Sequence, residues 1–293
     1  MRLPRRVAAL IAALALGVAL ASCAHQPGVG RKHEESVAPI ADSATAALWH
    51  FDELGGQTVA DATPAKLDGV AGLDTQVEFG RFGRARSFVN SANSFALVDA
   101  NPLLDLRAPF TVEAWIRPRS YPDQILAAVV SRMQNTGNQR AYILGLTGGQ
   151  QPLGSPSDPL FAADPRLQIG EPGHLWFAFV PRGAWSGLYS FISVGIIDTN
   201  RWTHIAVTYD GTAVRFYVDG RLDSQHAASG EPARVTAPLM IGNSFDVNVL
   251  TDFSGQLQVQ SGRNPTFSYP FDGLIDELRL SSVARTEFGI VGR

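Results

Sequence analysis

Acidic side chains are the residues of this 293-residue chain whose spacing bears most directly on catalysis. Glycoside hydrolysis needs two carboxylates, about 5 Å apart for retention or roughly 6.5 to 9.5 Å apart for inversion. The run FTVEAWIRP has only Glu113, and Asp52-Glu53 and Asp276-Glu277 are adjacent pairs whose members point to opposite faces of a strand. The chain also lacks a nucleophile elbow, a zinc-protease motif and a phosphate-binding loop. We therefore expect a protein that is not an enzyme.

The elements that must position these side chains are strands. From Trp202 to Gly220, apolar residues alternate with a period of two, and Asp-Gly pairs follow at 210–211 and 219–220. Asp-Gly is a strong hairpin signal, because tight turns that match strand twist need positive φ. The pattern predicts consecutive antiparallel strands, with both aspartates serving turn geometry.

Similar runs follow one another from Ala46 to Ser282, separated by turn signals and without a long amphipathic helix. The apolar fraction of 45% and charged fraction of 17%, with 28 Gly and 18 Pro, suit a globular chain with many turns. We predict one all-β sandwich of two antiparallel sheets over residues 46–286, followed by a tail at 287–293.

The first 22 residues are typical of an export leader, with a basic start, a short apolar run and small residues before Cys23. This pattern resembles the lipobox of bacterial lipoproteins, which implies cleavage before Cys23, palmitate-type acylation of that residue and a membrane anchor. An ordinary secretory signal is the alternative. Ala24 follows the cysteine, and the absence of Asp there resembles lipoproteins of an outer membrane, so we expect a location in the bacterial cell envelope.

Residues 23–45 are polar and without periodicity, which predicts a flexible tether. Three of the 24 basic residues lie in the leader, so the mature chain keeps 21 basic against 27 acidic residues. No basic cluster follows the leader, and nucleic acid is therefore not an expected partner.

Several motifs together resemble the laminin G-like branch of the concanavalin A-like lectin/glucanase superfamily. They are ALWHFDE, SFVNSANSFALV, FTVEAWIRP, WTHIAVTYDGTAVRFYVDG, IGN and FDGLIDELRLSSVART, spread over residues 45 to 286. The resemblance implies a concanavalin A-like jelly roll of two antiparallel sheets, one of them concave. It implies a fold more firmly than an activity, because function resides in a site.

The resemblance also implies a use for acids at strand ends, since calcium takes six to eight oxygen ligands. First and last strands of jelly rolls commonly pair, which would bring Asp52 close to Asp276. Asp276 shares a face with Leu274, Leu278 and Leu280 in a regular strand, so we expect it to point inward and to need a cation or several donors. Calcium at Asp52 and Asp276 is one reading; hydrogen bonds to backbone or to an arginine are the other.

Sugar binding would use aromatic platforms with polar neighbours. Trp49, Trp115 and Trp202 lie within strand patterns and are expected in the core, whereas Trp185 lies in a Gly-rich turn where binding and packing are equally open. His204 alternates with Ile205, is expected to face outward and is a further ligand candidate.

Two segments, 147–165 and 245–270, are long for connections in a compact domain. The second carries Phe253 and Tyr269 among polar residues and suits a recognition surface; the first is Pro-rich and equally compatible with disorder. The sequence thus leaves two main functions open, an anchored carbohydrate-binding module and a protein-binding or adhesion module. A glycoside hydrolase-related enzyme is a less favoured third.

Overall fold

A computed structural model describes residues 36–149, 171–183, 188–265 and 267–290 of the chain. Within these ranges almost all of the regular secondary structure is β-strand. None of the helices found there is long and apolar enough to cross a membrane.

The described ranges contain eighteen strands and three short 3-10 helices. The strands are β1 (Thr45–Trp49), β2 (Thr58–Val59), β3 (Gly69–Ala71), β4 (Gln76–Phe79), β5 (Arg84–Phe88), β6 (Ala96–Val98), β7 (Phe110–Pro118), β8 (Leu126–Gln134), β9 (Gln139–Thr147), β10 (His174–Phe179), β11 (Tyr189–Ile196), β12 (Thr203–Tyr209), β13 (Ala213–Val218), β14 (Arg221–Ala227), β15 (Leu239–Ile241), β16 (Leu250–Phe253), β17 (Gln256–Val259) and β18 (Gly273–Ser281). The 3-10 helices are Pro102–Leu104, Thr136–Asn138 and Val247–Val249.

Two antiparallel sheets form the predicted sandwich. Sheet A has the order β14-β13-β12-β7-β18-β5-β4, with β1 also paired to β18. Sheet B has the order β11-β10-β9-β8-β15-β6-β3-β2, and β16 pairs only with β17. The all-β concanavalin A-like fold expected from the sequence is therefore confirmed.

The β12–β13–β14 meander forms as the Asp-Gly pairs predict. The Asp210 carboxylate accepts the N–H groups of Thr212 at 2.8 Å and Ala213 at 2.9 Å. Asp219 and Gly220 both have positive φ, 47° and 74°, which is the geometry of a tight hairpin turn. Both aspartates therefore serve the turns.

The hydrophobic core lies between the sheets. Alternate residues of β7, Val112, Ala114 and Ile116, face it from sheet A, and Phe177 and Phe179 of β10 face it from sheet B. The intervening residues of β7 point to the opposite side of sheet A, which we call its outer face. Glu113 lies on this outer face, between Val112 and Ala114 of β7.

A β-bulge in β18 reverses the expected orientation of Asp276. The register with β7 shifts between Asp276 and Arg279, and Glu277 within the bulge has a φ of 53°. Leu278 and Leu280 consequently face the core, whereas Asp276 pairs with Trp115 on the outer face. The expectation that Asp276 shares a face with those two leucines was wrong, because the extra residue breaks the alternation. Asp276 is nevertheless fully buried.

Both ends of the described chain pack against the outer face of sheet A. The Val37 N–H donates to the Gly289 carbonyl at 3.4 Å, and Arg285 donates to both oxygens of Asp42 at 2.8 Å. Phe288 is buried beside Tyr217. We call residues 36–44 and 282–290 the terminal straps.

The long segment 245–270 packs over the outer face of sheet B. The β16–β17 hairpin lies on a small cluster that includes Phe95 and Met240. Further along, Tyr269 is buried in a cluster with Trp176. Most of the described segment is therefore held by apolar contacts.

Some predicted features fall outside the described residues. These are the leader, Cys23, the greater part of the 147–165 segment and Trp185. The predictions that concern them stay predictions.

Candidate functional site

The outer face of sheet A carries a buried ion-pair network centred on Glu113. Its Oε1 accepts a hydrogen bond from Nε of Arg279 at 2.8 Å, and its Oε2 lies 3.1 Å from Nε2 of His204. Nε of Arg285, from the C-terminal strap, lies 3.8 Å from Oε1. Glu113 and His204 are each 2% exposed, so solvent does not reach this network.

The partners of Glu113 determine its protonation. Burial alone would raise the pKa of this carboxyl, but the hydrogen bonds and charges of His204 and Arg279 outweigh burial and hold the pKa below its usual value. A glycosidase general acid needs the opposite, a raised pKa that keeps the proton available. The lowered pKa keeps Glu113 ionised, which suits a structural ion pair and not a general acid.

Asp276 lies on the neighbouring strand of the same face and is only half satisfied. Its Oδ2 accepts the N–H groups of Arg81 at 2.8 Å and Phe82 at 3.0 Å, in the turn between β4 and β5. Its Oδ1 is buried without a hydrogen-bond partner among the described residues. A Cβ at Gly80 would approach Oδ2 to 2.6 Å, so a glycine allows this turn to close over the carboxylate.

This environment favours the protonated form of Asp276. Burial raises its pKa to about 8, with further contributions from the negative charges of Glu277 and Asp52, while the N–H groups of Phe82 and Arg81 oppose the rise. Two buried carboxyl groups on adjacent strands of one face thus have pKa values shifted in opposite directions.

Asp52 holds the same turn from its other side. Its Oδ1 accepts the N–H of Arg84 at 2.7 Å, and a Cβ at Gly83 would come within 2.1 Å of that oxygen. The pairing of β1 with β18 brings Asp52 and Asp276 to one turn, as the sequence predicts. Both carboxylates accept backbone N–H groups. This is the bonding expected if hydrogen bonds, and not calcium, satisfy Asp52 and Asp276.

The residues around Asp276 fit a calcium ion in one respect. A cation would satisfy the orphaned Oδ1, which is otherwise an unpaired buried acceptor. Across the described ranges, however, no three His, Cys, Asp or Glu side chains form a group that could hold a metal ion. The ligand set would need backbone carbonyls and water beside Asp276 and Asp52, and calcium accepts both.

Glu277 turns from the bulge toward His50. Its Oε2 lies 2.6 Å from Nδ1 of that histidine. Burial raises the pKa of Glu277 despite His50, and the hydrogen bond that the imidazole donates to Glu277 raises the pKa of His50. This pair gives the carboxylate of the bulge a partner and leaves Asp276 without one.

The structure does not bring the predicted ligand residues together. His204 lies on the outer face of sheet A under Phe288, with ring centres 5.1 Å apart. Tyr269 is 4% exposed and packs over sheet B, whereas Phe253 is 66% exposed at the end of β16. Trp185 lies outside the described residues. Phe253 is thus the described candidate that is open to a ligand.

Of the three tryptophans that the sequence predicts in the core, only one lies there. Trp49 is fully buried in the core, as predicted. Trp115 is 4% exposed but lies on the outer face, where Phe82 packs against it edge-on at 5.8 Å. Trp202 is only partly buried and precedes the first residue of β12. A signal for this was available: Trp202 stands at the edge of its hydrophobic run.

Comparison with solved structures finds this fold in proteins of low sequence identity. The binding domain of Paraclostridial Mosquitocidal Protein 1 matches with a TM-score of 0.53 and 15% identity, covering 83% of this chain and 49% of that one. Domain 4 of AbnA, a GH43 extracellular arabinanase from Geobacillus stearothermophilus, solved in complex with arabinotriose, matches with a TM-score of 0.52 and 19% identity, covering 82% and 93%.

The binding domain of Botulinum neurotoxin serotype G has a TM-score of 0.52 and 12% identity, covering 82% of this chain and 48% of that one. The chain therefore spans about half the length of the two toxin domains. No curated protein matches the sequence. The family model Laminin_G_3 matches residues 90–261, more than half of the chain. The protein belongs to this family of the concanavalin A-like lectin/glucanases superfamily.

Proposed function

We propose that the protein is a non-catalytic binding module that recognises a carbohydrate at a bacterial envelope membrane. The main support for a binding role is the exposure of Phe253. This aromatic side chain is 66% exposed at the tip of the β16–β17 hairpin, and the base of that hairpin packs on the domain. An exposed aromatic on a firmly held element can contact a sugar without ordering a mobile loop. The fold of an arabinanase domain crystallised with arabinotriose supports the same class of ligand.

The state of Glu113 supports a role without catalysis. This acid of FTVEAWIRP is held ionised between Arg279 and His204 and is sealed from solvent. A substrate would reach it only if the C-terminal strap were displaced. Release of reducing sugar from a bound polysaccharide would contradict this part of the proposal.

A glycan array probed with the full-length chain in detergent tests the binding role. Phe253→Ala should weaken glycan binding while leaving the melting temperature unchanged, since the side chain is largely exposed. Phe79→Ala is the matched control, because Phe79 is 84% exposed on the edge strand β4. Equal losses in both variants, or none in either, would remove Phe253 from the site.

Trp185 remains a second candidate platform. If it stacks on a sugar, Trp185→Ala should weaken binding by about 1 kcal/mol or somewhat more, without lowering the melting temperature. The core control for this experiment is Trp49→Ala, because Trp49 is fully buried whereas Trp202 is not. A melt that falls as far as that of Trp49→Ala would assign Trp185 to packing.

Lipid attachment at Cys23 is the proposed anchor, with the outer membrane as the proposed location. The leader and the absence of Asp after Cys23 support this. Cys23→Ser should move the protein from the detergent phase to the aqueous phase, and processing of the wild type should be sensitive to globomycin. A wild-type protein that stays in the aqueous phase would contradict the anchor.

Calcium at Asp276 and Asp52 is proposed as a structural cofactor. Its support is the buried, unpartnered Oδ1 of Asp276. When bound, calcium would supply positive charge that keeps this carboxylate ionised and ties the β4–β5 turn to β18.

A protein-binding or adhesion role is the second candidate, favoured by one observation. The neighbouring edges of β11 and β14 expose Val194 (74%), Leu222 (55%) and Ile196 (47%). Apolar residues at a sheet edge suit a protein partner better than a sugar. Binding to a surface protein that is lost in Val194→Ser, together with a negative glycan array, would favour this candidate.

A further inference from the structure

A distinct surface lies on the outer face of sheet A, toward the end where β7 meets the start of β12. Arg81 lies over Trp115 there, with its guanidinium carbon 4.9 Å from the indole centre and 5.2 Å from the ring of Phe82. Such stacking on aromatic rings holds a guanidinium in place. Arg117 is two residues along the same face of β7, a spacing of about 7 Å.

Trp202 completes this surface. Thr203 pairs with Ile116, and Asn200 donates its N–H to the Pro118 carbonyl at 2.6 Å, so Trp202 lies beside Arg117. Strand alternation puts Trp202 on the same face as His204, two residues along. Part of its indole is open to solvent, since the residue is only partly buried.

The donors of this surface are unmatched. Among the described residues, the side chain of Arg81 has no hydrogen bond or ion pair and is exposed. Arg117 donates only through Nε, to the Asn200 carbonyl at 3.2 Å. The Nε1 of Trp115 is buried without an acceptor. Among the described residues, the Arg81 guanidinium and the terminal nitrogens of Arg117 therefore have no protein acceptor, and neither does the buried Nε1 of Trp115.

Among the described residues, no acid pairs with the side chain of Arg81 or Arg117. Asp276, opposite Trp115, accepts the backbone N–H of Arg81, and other acids bind neighbouring arginines. Arg119 binds Glu78 at 2.7 Å and approaches Asp272 to 3.5 Å. Arg201 pairs with Asp219 and lies 3.6 Å from Asp198. The charges of Arg81 and Arg117 are thus left for a ligand, in a chain whose net charge is −3.

We propose that Arg81, Arg117 and Trp202 form a subsite for an acidic saccharide, a sugar carrying a carboxylate, sulfate or phosphate group. The inference rests on the proposed carbohydrate-binding function and narrows its ligand class. Guanidinium groups bind planar or tetrahedral oxyanions through paired N–H donors. The indole of Trp202 offers an apolar surface beside them for the sugar ring, and the stacked Arg81 loses little freedom on binding.

The test compares ligands that differ only in charge. The full-length chain in detergent is titrated with polygalacturonate and with its methyl ester, and in parallel with dextran sulfate and dextran. The charged member of at least one pair should bind about tenfold more tightly than its neutral counterpart, with strong salt dependence. Which pair responds distinguishes carboxylate from sulfate recognition.

Variants locate the subsite. Arg81→Gln and Arg117→Gln should each reduce affinity for the charged ligand about tenfold without changing the melting temperature. Arg263→Gln is the matched control, since Arg263 is an exposed arginine within the 245–270 segment, which packs over sheet B. Equal binding of charged and neutral ligands, or an equal loss in Arg263→Gln, would overturn the acidic subsite and leave carbohydrate binding intact. Failure of every glycan, charged or neutral, on the array would overturn both proposals.

Discussion

Glu113 and Asp276 lie on adjacent strands and on the same face of sheet A, yet their pKa values are shifted in opposite directions. Glu113 is 2% exposed and Asp276 is 0% exposed, so burial does not distinguish them. The difference lies in their partners: the side chains of Arg279 and His204 contact both oxygens of Glu113, whereas Asp276 receives two backbone N–H groups at one oxygen only.

This contrast teaches that a buried acid is informative only together with its partners. A carboxylate whose two oxygens both have side-chain partners, one of them an arginine, is a structural anion. A buried carboxylate with one unpartnered oxygen stays protonated unless a cation binds to it. The candidate cation site is therefore at Asp276, although Glu113 lies on the strand that first suggested chemistry.

The largest expected effect is the loss of the Glu113 charge. Glu113→Gln leaves Arg279 buried with a weaker partner, and removing one member of a buried pair typically destabilises by about 3–5 kcal/mol. Urea unfolding of both proteins measures this. Glu78→Gln is the control, because its pair with Arg119 is partly exposed and should contribute less than about 1 kcal/mol. Similar losses in the two variants would contradict the structural role of Glu113.

Added calcium should stabilise the Glu113 variant but not the Asp276 variant. At a free concentration 100 times Kd, a ligand that binds only the native state adds about 2.7 kcal/mol to the unfolding free energy. Asp276→Asn should abolish this gain, whereas Glu113→Gln should retain it. Thermal melts with calcium and with chelator provide the measurement. A wild-type melt that is the same in both conditions would remove calcium from Asp276.

The pH dependence of stability in chelator should carry contributions of opposite sign. Since the pKa of Glu113 is lowered, its contribution is present above its usual pKa and is lost as the pH falls through the lowered value. Since the pKa of Asp276 is raised from 3.8 to about 8, its contribution is present at low pH and is lost as the pH rises toward that value.

We expect the Asp276 contribution to decrease by about 3 kcal/mol between roughly pH 5 and pH 7. Asp276→Asn should remove that decrease, and Glu113→Gln should reduce the loss of stability in acid. Urea titrations between pH 5 and pH 7 measure the Asp276 effect, and titrations below the usual carboxyl pKa of 4.5 measure the Glu113 effect. Parallel profiles for wild type and Asp276→Asn would show that Asp276 is not protonated in the folded protein.

The smallest effect is expected at Asp42, because an exposed ion pair contributes little to the free energy of unfolding. Arg285 lowers the pKa of this carboxyl to about 2, but the Asp42 side chain is 47% exposed. Solvent screens the pair, so Asp42→Asn should destabilise the domain by less than about 1 kcal/mol. A loss as large as that of Glu113→Gln in the same urea experiment would mean that the N-terminal strap is essential to the buried network.

The sequence by itself determined the features that depend on near neighbours. Alternation in β7 and β12 predicts which residues face the core, and the Asp-Gly pairs at 210 and 219 predict the turns of the meander, because strand period and turn φ are local properties. The family resemblance predicted the sandwich and the meeting of Asp52 with Asp276, since it supplied the pairing of the first and last strands.

Only the tertiary structure decided how the outer face of sheet A is used. A one-residue bulge at Glu277 moves Asp276 to that face, and a bulge leaves no mark in the alternation that precedes it. Phe288 buries His204, which strand alternation alone assigns to the outside. Arg81 reaches Trp115 through a turn that Asp276 fixes from 195 residues away in sequence. These contacts join distant segments, so no local pattern contains them, and they determine which charges are satisfied and which are left for a ligand.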